Sequence, residues 1–269
     1  MVGSVSQEDI QSILHADESD PFHILGMHSV KSIPGVFVRL FYPGLLSVEV
    51  IDPEQPQQPW TMDRIHSEGF YEVYIPNRSF FRYLLKLTKK NGEIILTRDP
   101  YSFLPLLTDL DIYLFNEGTH LAIYDFLGAH IKTIDKTMGT LFCVWAPNAR
   151  RVSVVGDFNE WDGRIHQMRM IGSSGIWEIF IPNVPLEARY KFEIKTQEGH
   201  LLLKSDPVAF YAEKSPLTAS ITYDLSGYNW HDQDWIEKRQ SSNPLITPMS
   251  IYEVHLGSWK KGENSSFLS

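Results

Sequence analysis

The chain's 269 residues, 43% hydrophobic and 21% charged, suffice for two domains of ordinary size and do not describe a disordered tail. A formal net charge of −9 excludes the basic surface that nucleic-acid binding requires. No apolar run approaches the roughly 20 residues of a bilayer span, Met1-Val2-Gly3-Ser4 lacks a secretory pattern, and Cys143 is the lone cysteine, so we expect no membrane partner and a cytoplasmic location.

A leading segment, 1–19, carries one helix: Ser6 can cap it, and Ile10, Ile13 and Leu14 share a face. Residues 20–103 read as short strands broken by turn signals such as Pro76-Asn77 and Asn91-Gly92, the pattern of a β-sandwich. A connector rich in leucine and acidic residues, 104–127, leads to a second such domain at 128–224. The two are copies. Phe37–Pro43 answers to Leu141–Pro147, Gly69–Asn77 to Gly175–Asn183, Arg82-Tyr83 to Arg189-Tyr190 and Asp99-Pro100 to Asp206-Pro207, in one order. Tyr190, Phe192 and Ile194 alternate with Lys191, Glu193 and Lys195, which places the first set inward and Lys191 outward. Cys143 alternates with Leu141 and Trp145 and is expected to be a small buried hydrophobe; Trp145 and Trp177 are expected in the core. After a polar linker, 225–247, Ser250–Gly257 reads as a buried strand opening a further, incomplete domain at 248–269.

Val155-Gly156-Asp157-Phe158-Asn159-Glu160-Trp161 resembles the GxFNxW signature of family-48 carbohydrate-binding modules. Trp145-Ala146-Pro147, Tyr190-Lys191-Phe192 and Ser205-Asp206-Pro207 are similar to that module's other landmarks. Asp20–His28, opening the first copy, resembles the extra N-terminal domain of bacterial glycogen branching enzymes, and Tyr252–Trp259 resembles their first barrel strand. Strand pattern and resemblance together imply an all-β fold: two tandem immunoglobulin-like β-sandwiches plus the first strand of an absent (β/α)8 barrel. The resemblance further implies the non-catalytic N-terminal portion of a 1,4-α-glucan branching enzyme. Such enzymes move an α-1,4-glucan segment to a glucose 6-hydroxyl with two carboxyl groups held by the barrel. No segment here matches the barrel's carboxylate motif, so no catalytic residue is assigned. The implied partners are α-1,4-glucan (glycogen, maltooligosaccharides) and the catalytic barrel that follows in that family.

A glucan offers CH-rich faces to aromatic rings and hydroxyls to amide and ammonium groups. Trp161 matches the family's main stacking residue, the alternative being a core tryptophan. Asn159 either hydrogen-bonds a sugar or shapes its own turn, and Lys191 either meets the ligand or is simply solvated. The sequence departs from the family at Glu198-Gly199-His200-Leu201, where ligand-binding members carry a second tryptophan. The first copy has no FNxW after Ile51-Asp52, so no binding of this mode is expected there. No cofactor or metal is expected, since His23 and His28 lack a third ligand. Two rival readings stand beside this one. A debranching or trehalose-forming enzyme of the same superfamily usually lacks the duplicated leading sandwich. A stand-alone glycogen-binding regulatory subunit leaves Tyr252–Trp259 unexplained.

Overall fold

Ser6 caps α1 (Gln7–Leu14): its hydroxyl accepts from the Asp9 N–H at 3.0 Å while Asp9 reaches back to the Ser6 N–H. This satisfies donors that a helix start leaves free. Ile10, Ile13 and Leu14 are buried together, as their spacing predicts. The computed structural model describes residues 5–30 and 33–262, which fall into two units divided after Leu225.

Alternating apolar residues fold the next stretch into antiparallel strands: β1 (Gly26–Val30), β2 (Ile33–Phe41), β3 (Leu45–Ile51), β4 (Trp60–Thr61), β5 (Asp63–His66), β6 (Phe70–Pro76), β7 (Leu84–Lys89) and β8 (Ile94–Thr97). They make two four-stranded sheets, ordered β1-β2-β6-β5 and β4-β3-β7-β8. Val38, Leu40, Val48, Val50, Tyr71 and Leu85 fill the space between them. The connector carries α2 (Asp109–Glu117), capped by Thr108 and ended by Gly118 at φ 77°.

The second copy repeats the plan with β9 (Gly128–Ile134), β10 (Thr137–Trp145), β11 (Ala149–Gly156), β12 (Arg169–Met170), β13 (Ile176–Pro182), β14 (Arg189–Thr196), β15 (Leu201–Lys204), β16 (Tyr211–Ala212) and β17 (Ser220–Ile221). One sheet runs β12-β13-β10-β9; the other runs β11-β14-β17-β16, with β15 also on β14. Duplication extends to single bonds. Gly35 faces Pro76 across β2–β6 as Gly139 faces Pro182 across β10–β13. The Tyr83 hydroxyl donates to Asp99 at 2.6 Å, and the Tyr190 hydroxyl donates to Asp206 at the same distance. Both tyrosines and both aspartates are buried, so each bond replaces water that the groups have lost.

Trp177 is wholly buried, as expected, in a core shared with Phe142, Tyr190 and Phe192. That core does not stop at the domain boundary drawn from the sequence: Ile13 and Leu14 of α1 and Phe41, Phe70 and Tyr101 of the first copy belong to it. Polar bonds reinforce the joint. The Tyr101 hydroxyl donates to Ile165 O and accepts from the Gln167 N–H, both at 3.0 Å. At the centre lies the buried pair of Arg169 on β12 and Glu178 on β13, 2.7 Å apart. Glu178 also accepts the N–H groups of Leu106 and Leu107 from the connector, while Arg169 donates to Phe103 O at 3.0 Å and lies over the Phe22 ring.

Two sequence expectations fail. Trp145 is 53% exposed, its indole N–H bonded to Ser174 O at 3.3 Å and its ring edge-on to Phe115. It shares a face with buried Leu141 and Cys143, but that face is the outer side of its sheet, roofed by the connector, whose Phe115 covers only an edge of the Trp145 ring. In the second unit, the polar linker carries a short helix, α3 (Gln233–Ser241). Residues 251–255, however, form no strand, and α4 (Leu256–Trp259) is a helical turn. A strand needs a neighbour to take its backbone bonds, and none is present among the described residues of this unit.

Removing one member of a buried ion pair leaves the other uncompensated. Arg169→Ala should therefore destabilise the 1–225 unit by about 3–5 kcal/mol in urea unfolding.

Candidate functional site

The loop after β11 is built around Asn159. Its Oδ1 accepts the Gly156 N–H at 2.9 Å, and its Nδ2 donates to Val154 O at 2.8 Å and to His166 Nδ1 at 3.0 Å. The side chain is wholly buried, so it has no atom to offer a ligand at the surface and serves the turn. Gly156 must be glycine because a Cβ there would stand 2.4 Å from the Arg189 carbonyl oxygen. Phe158 packs inward, its ring 5.8 Å from that of Phe142.

With the loop thus tied, Glu160 and Trp161 take left-handed backbone conformations, φ 55° and 62°. Side chains disfavour that region, and such strain persists only where the surroundings enforce it. It turns the Trp161 ring outward: the residue is 38% exposed, and its indole N–H donates to Asp157 Oδ1 at 3.2 Å. Asp157 in turn receives Arg189 Nε at 2.9 Å and Nη2 at 3.1 Å, and these charge-assisted bonds hold its carboxyl below the usual range. Arg189 also approaches Glu213 at 3.7 Å. Lys191, two residues along β14 on the same face, donates to the Thr218 hydroxyl at 2.7 Å. The indole edge is therefore fixed by a carboxylate, which leaves a ring face partly open beside a row of donors and acceptors.

Trp161 and Lys191 thus come to one surface, and Asn159 lies beneath it. Sequence reading missed Asp157, Arg189 and Thr218. Asp157 and Arg189 lie within stretches already quoted, but their pairing depends on register, Gly156 facing Tyr190, which spacing alone does not give. Leu201, where the family's second tryptophan is expected, is exposed and aliphatic. In the first copy the matching place holds an Asp52–Arg78 ion pair, with Trp60 half-buried against Phe81.

Residues 126–209 match the family described as Carbohydrate-binding module 48 (Isoamylase N-terminal domain), and residues 6–101 match the N-terminal domain of the alpha-1,4-glucan branching enzyme GlgB. The class is therefore a family-48 module joined to a branching-enzyme N-terminal domain. Proteins named 1,4-alpha-glucan branching enzyme GlgB align along almost the whole chain. That of Thermosynechococcus vestitus is 51% identical over 95% of this chain and 33% of its own. Those of Trichormus variabilis and Rubrobacter xylanophilus are each 46% identical, over 95% and 98% of this chain and 34% and 36% of theirs. The chain belongs to the GlgB family as an N-terminal portion, spanning about a third of the length of these relatives. Likeness to solved pullulanases, such as that of Anoxybacillus sp. LM18-11, is low: TM-score 0.33 and 15% identity over 76% of this chain and 28% of that one.

Burial drives the His166 imidazole from its ordinary 6.5 down to about 3, so it stays neutral and free to accept from Asn159. The unfolded chain binds this proton more readily, so stability is full above about 6.5 and is lost as pH falls towards 3. Unfolding measured between pH 7 and pH 4 should show that loss, and His166→Leu should flatten it.

Proposed function

We propose that this chain is the glucan-positioning front of a 1,4-α-glucan branching enzyme of glycogen synthesis, working in the cytoplasm. A catalytic barrel in the remainder of the protein carries the transfer of α-1,4 segments to 6-hydroxyls. Within the chain, Trp161 stacks on a glucose face, Lys191 hydrogen-bonds hydroxyls, and Asn159 acts at one remove by holding the loop. The observation that carries this reading is the outward Trp161 ring, strained and pinned by Asp157, within the matched family-48 module. No described helix is long and apolar enough to cross a membrane, and Cys143 is a buried free thiol, which suits a reducing compartment.

One indole on a pyranose removes on the order of 100 Å² of apolar surface from water, worth roughly 2–3 kcal/mol before ordering costs. Hydrogen bonds to hydroxyls add about 1 kcal/mol each, because water already satisfied them. Affinity for a short maltooligosaccharide then falls near millimolar, about the strength at which a long polymer gains by repeated rebinding.

Trp161→Ala should abolish retardation by glycogen in affinity electrophoresis while circular dichroism stays unchanged. Retardation equal to wild type would place the site elsewhere. Because the carboxyl pair is assigned to the barrel, the isolated chain should form no α-1,6 linkages on amylose. Branch signals in NMR above a buffer control would refute that assignment.

A further inference from the structure

The face that carries Trp161 continues across three more strands. Arg189 on β14 is opposite Ile221 on β17, which is opposite Tyr211 on β16. Directly opposed residues share a face, and this one points outward. The neighbouring row, Tyr190, Ser220 and Ala212, points the other way, where buried Tyr190 meets Asp206. Tyr223, two residues beyond Ile221, brings its ring to 5.3 Å from that of Tyr211. The two tyrosines are 48% and 43% exposed, an aromatic pair open to solvent at the far side of the sheet.

Between this pair and Trp161 lie Asp157, Arg189 and Glu213, already linked to one another and all bearing groups that suit sugar hydroxyls. Rings at both ends with donors and acceptors between them match the alternating faces and edges of a glucan. From the Asp157 position to Tyr211 is three strand spacings, roughly 14 Å at about 4.8 Å each. One pyranose cannot reach both ends.

We propose that Tyr211 and Tyr223 form a second stacking platform, so that a single α-1,4-glucan chain lies across the sheet from Trp161 over Arg189 to the tyrosine pair. This rests on Trp161 being the first platform. The tyrosines supply, from other strands, the second aromatic contact that Leu201 does not offer. A short sugar engages one platform, and an oligosaccharide engages both.

Maltose and maltoheptaose titrations of the chain, followed by NMR, test it. Replacing Tyr211→Ala and Tyr223→Ala together should weaken maltoheptaose binding about tenfold and leave maltose binding unchanged, whereas Trp161→Ala should weaken both. Tyr211→Phe with Tyr223→Phe should keep the maltoheptaose affinity, because the rings remain. Loss in the phenylalanine pair, or full maltoheptaose affinity in a folded alanine pair, overturns the second platform while loss in Trp161→Ala preserves the first. Undiminished binding of both sugars by Trp161→Ala overturns the Trp161 reading and the span with it.

Discussion

The buried pair of Arg169 and Glu178 is the constraint on which the arrangement of the 1–225 unit depends. Neither charge is tolerable alone in the interior, so each must be surrounded by partners. Those partners come from three parts of the chain: the connector through Leu106 and Leu107, the end of the first copy through Phe103, and its start through Phe22. Satisfying one ion pair therefore fixes where the first sandwich and the connector cross the β12-β13-β10-β9 sheet. The other sheet of the second copy is left with its outer face available. On that face the α1 segment takes one end, through Ala16 O on Arg151 and His15 O on Lys195, while Trp161 and Arg189 occupy the opposite end.

Two copies of one fold share what folding needs and differ in one loop. The tyrosine–aspartate bond, the strand register and the histidine that bonds a carbonyl three residues back (His28 to Leu25, His130 to Leu127) are the same in both. The loop after the third strand of each copy is not. In the second it is wound on Asn159 and throws a tryptophan outward; in the first it closes with an Asp52–Arg78 pair. The first copy spends its surface on the joint instead, with Tyr101 and Phe41 packed into the shared core.

Much of this was legible in the sequence because it rests on local patterning. Alternation located the strands and the buried Trp177, four repeated blocks revealed the duplication, and Ser6 with Ile10 and Ile13 located α1. The failures share a cause. Alternation says which residues share a face but not what covers that face. Trp145 therefore read as core although the connector meets only an edge of its ring, and the strand read at Ser250–Gly257, the first of an absent barrel, forms no strand over 251–255. For Asn159 the residue type allowed both a sugar contact and a turn, and only burial separates them. Tyr211 and Tyr223 lie twelve positions apart and carry no motif; register alone makes them a pair.

The left-handed backbone at Glu160 carries a cost in stability at one position. A side chain in that conformation costs on the order of 1 kcal/mol or more, which glycine avoids, although glycine returns part of the gain as extra freedom in the unfolded chain. Selection for a sturdier domain alone would thus favour glycine at 160. Keeping glutamate there means that the domain gives up some resistance to heat while its loop holds the Trp161 ring at the surface.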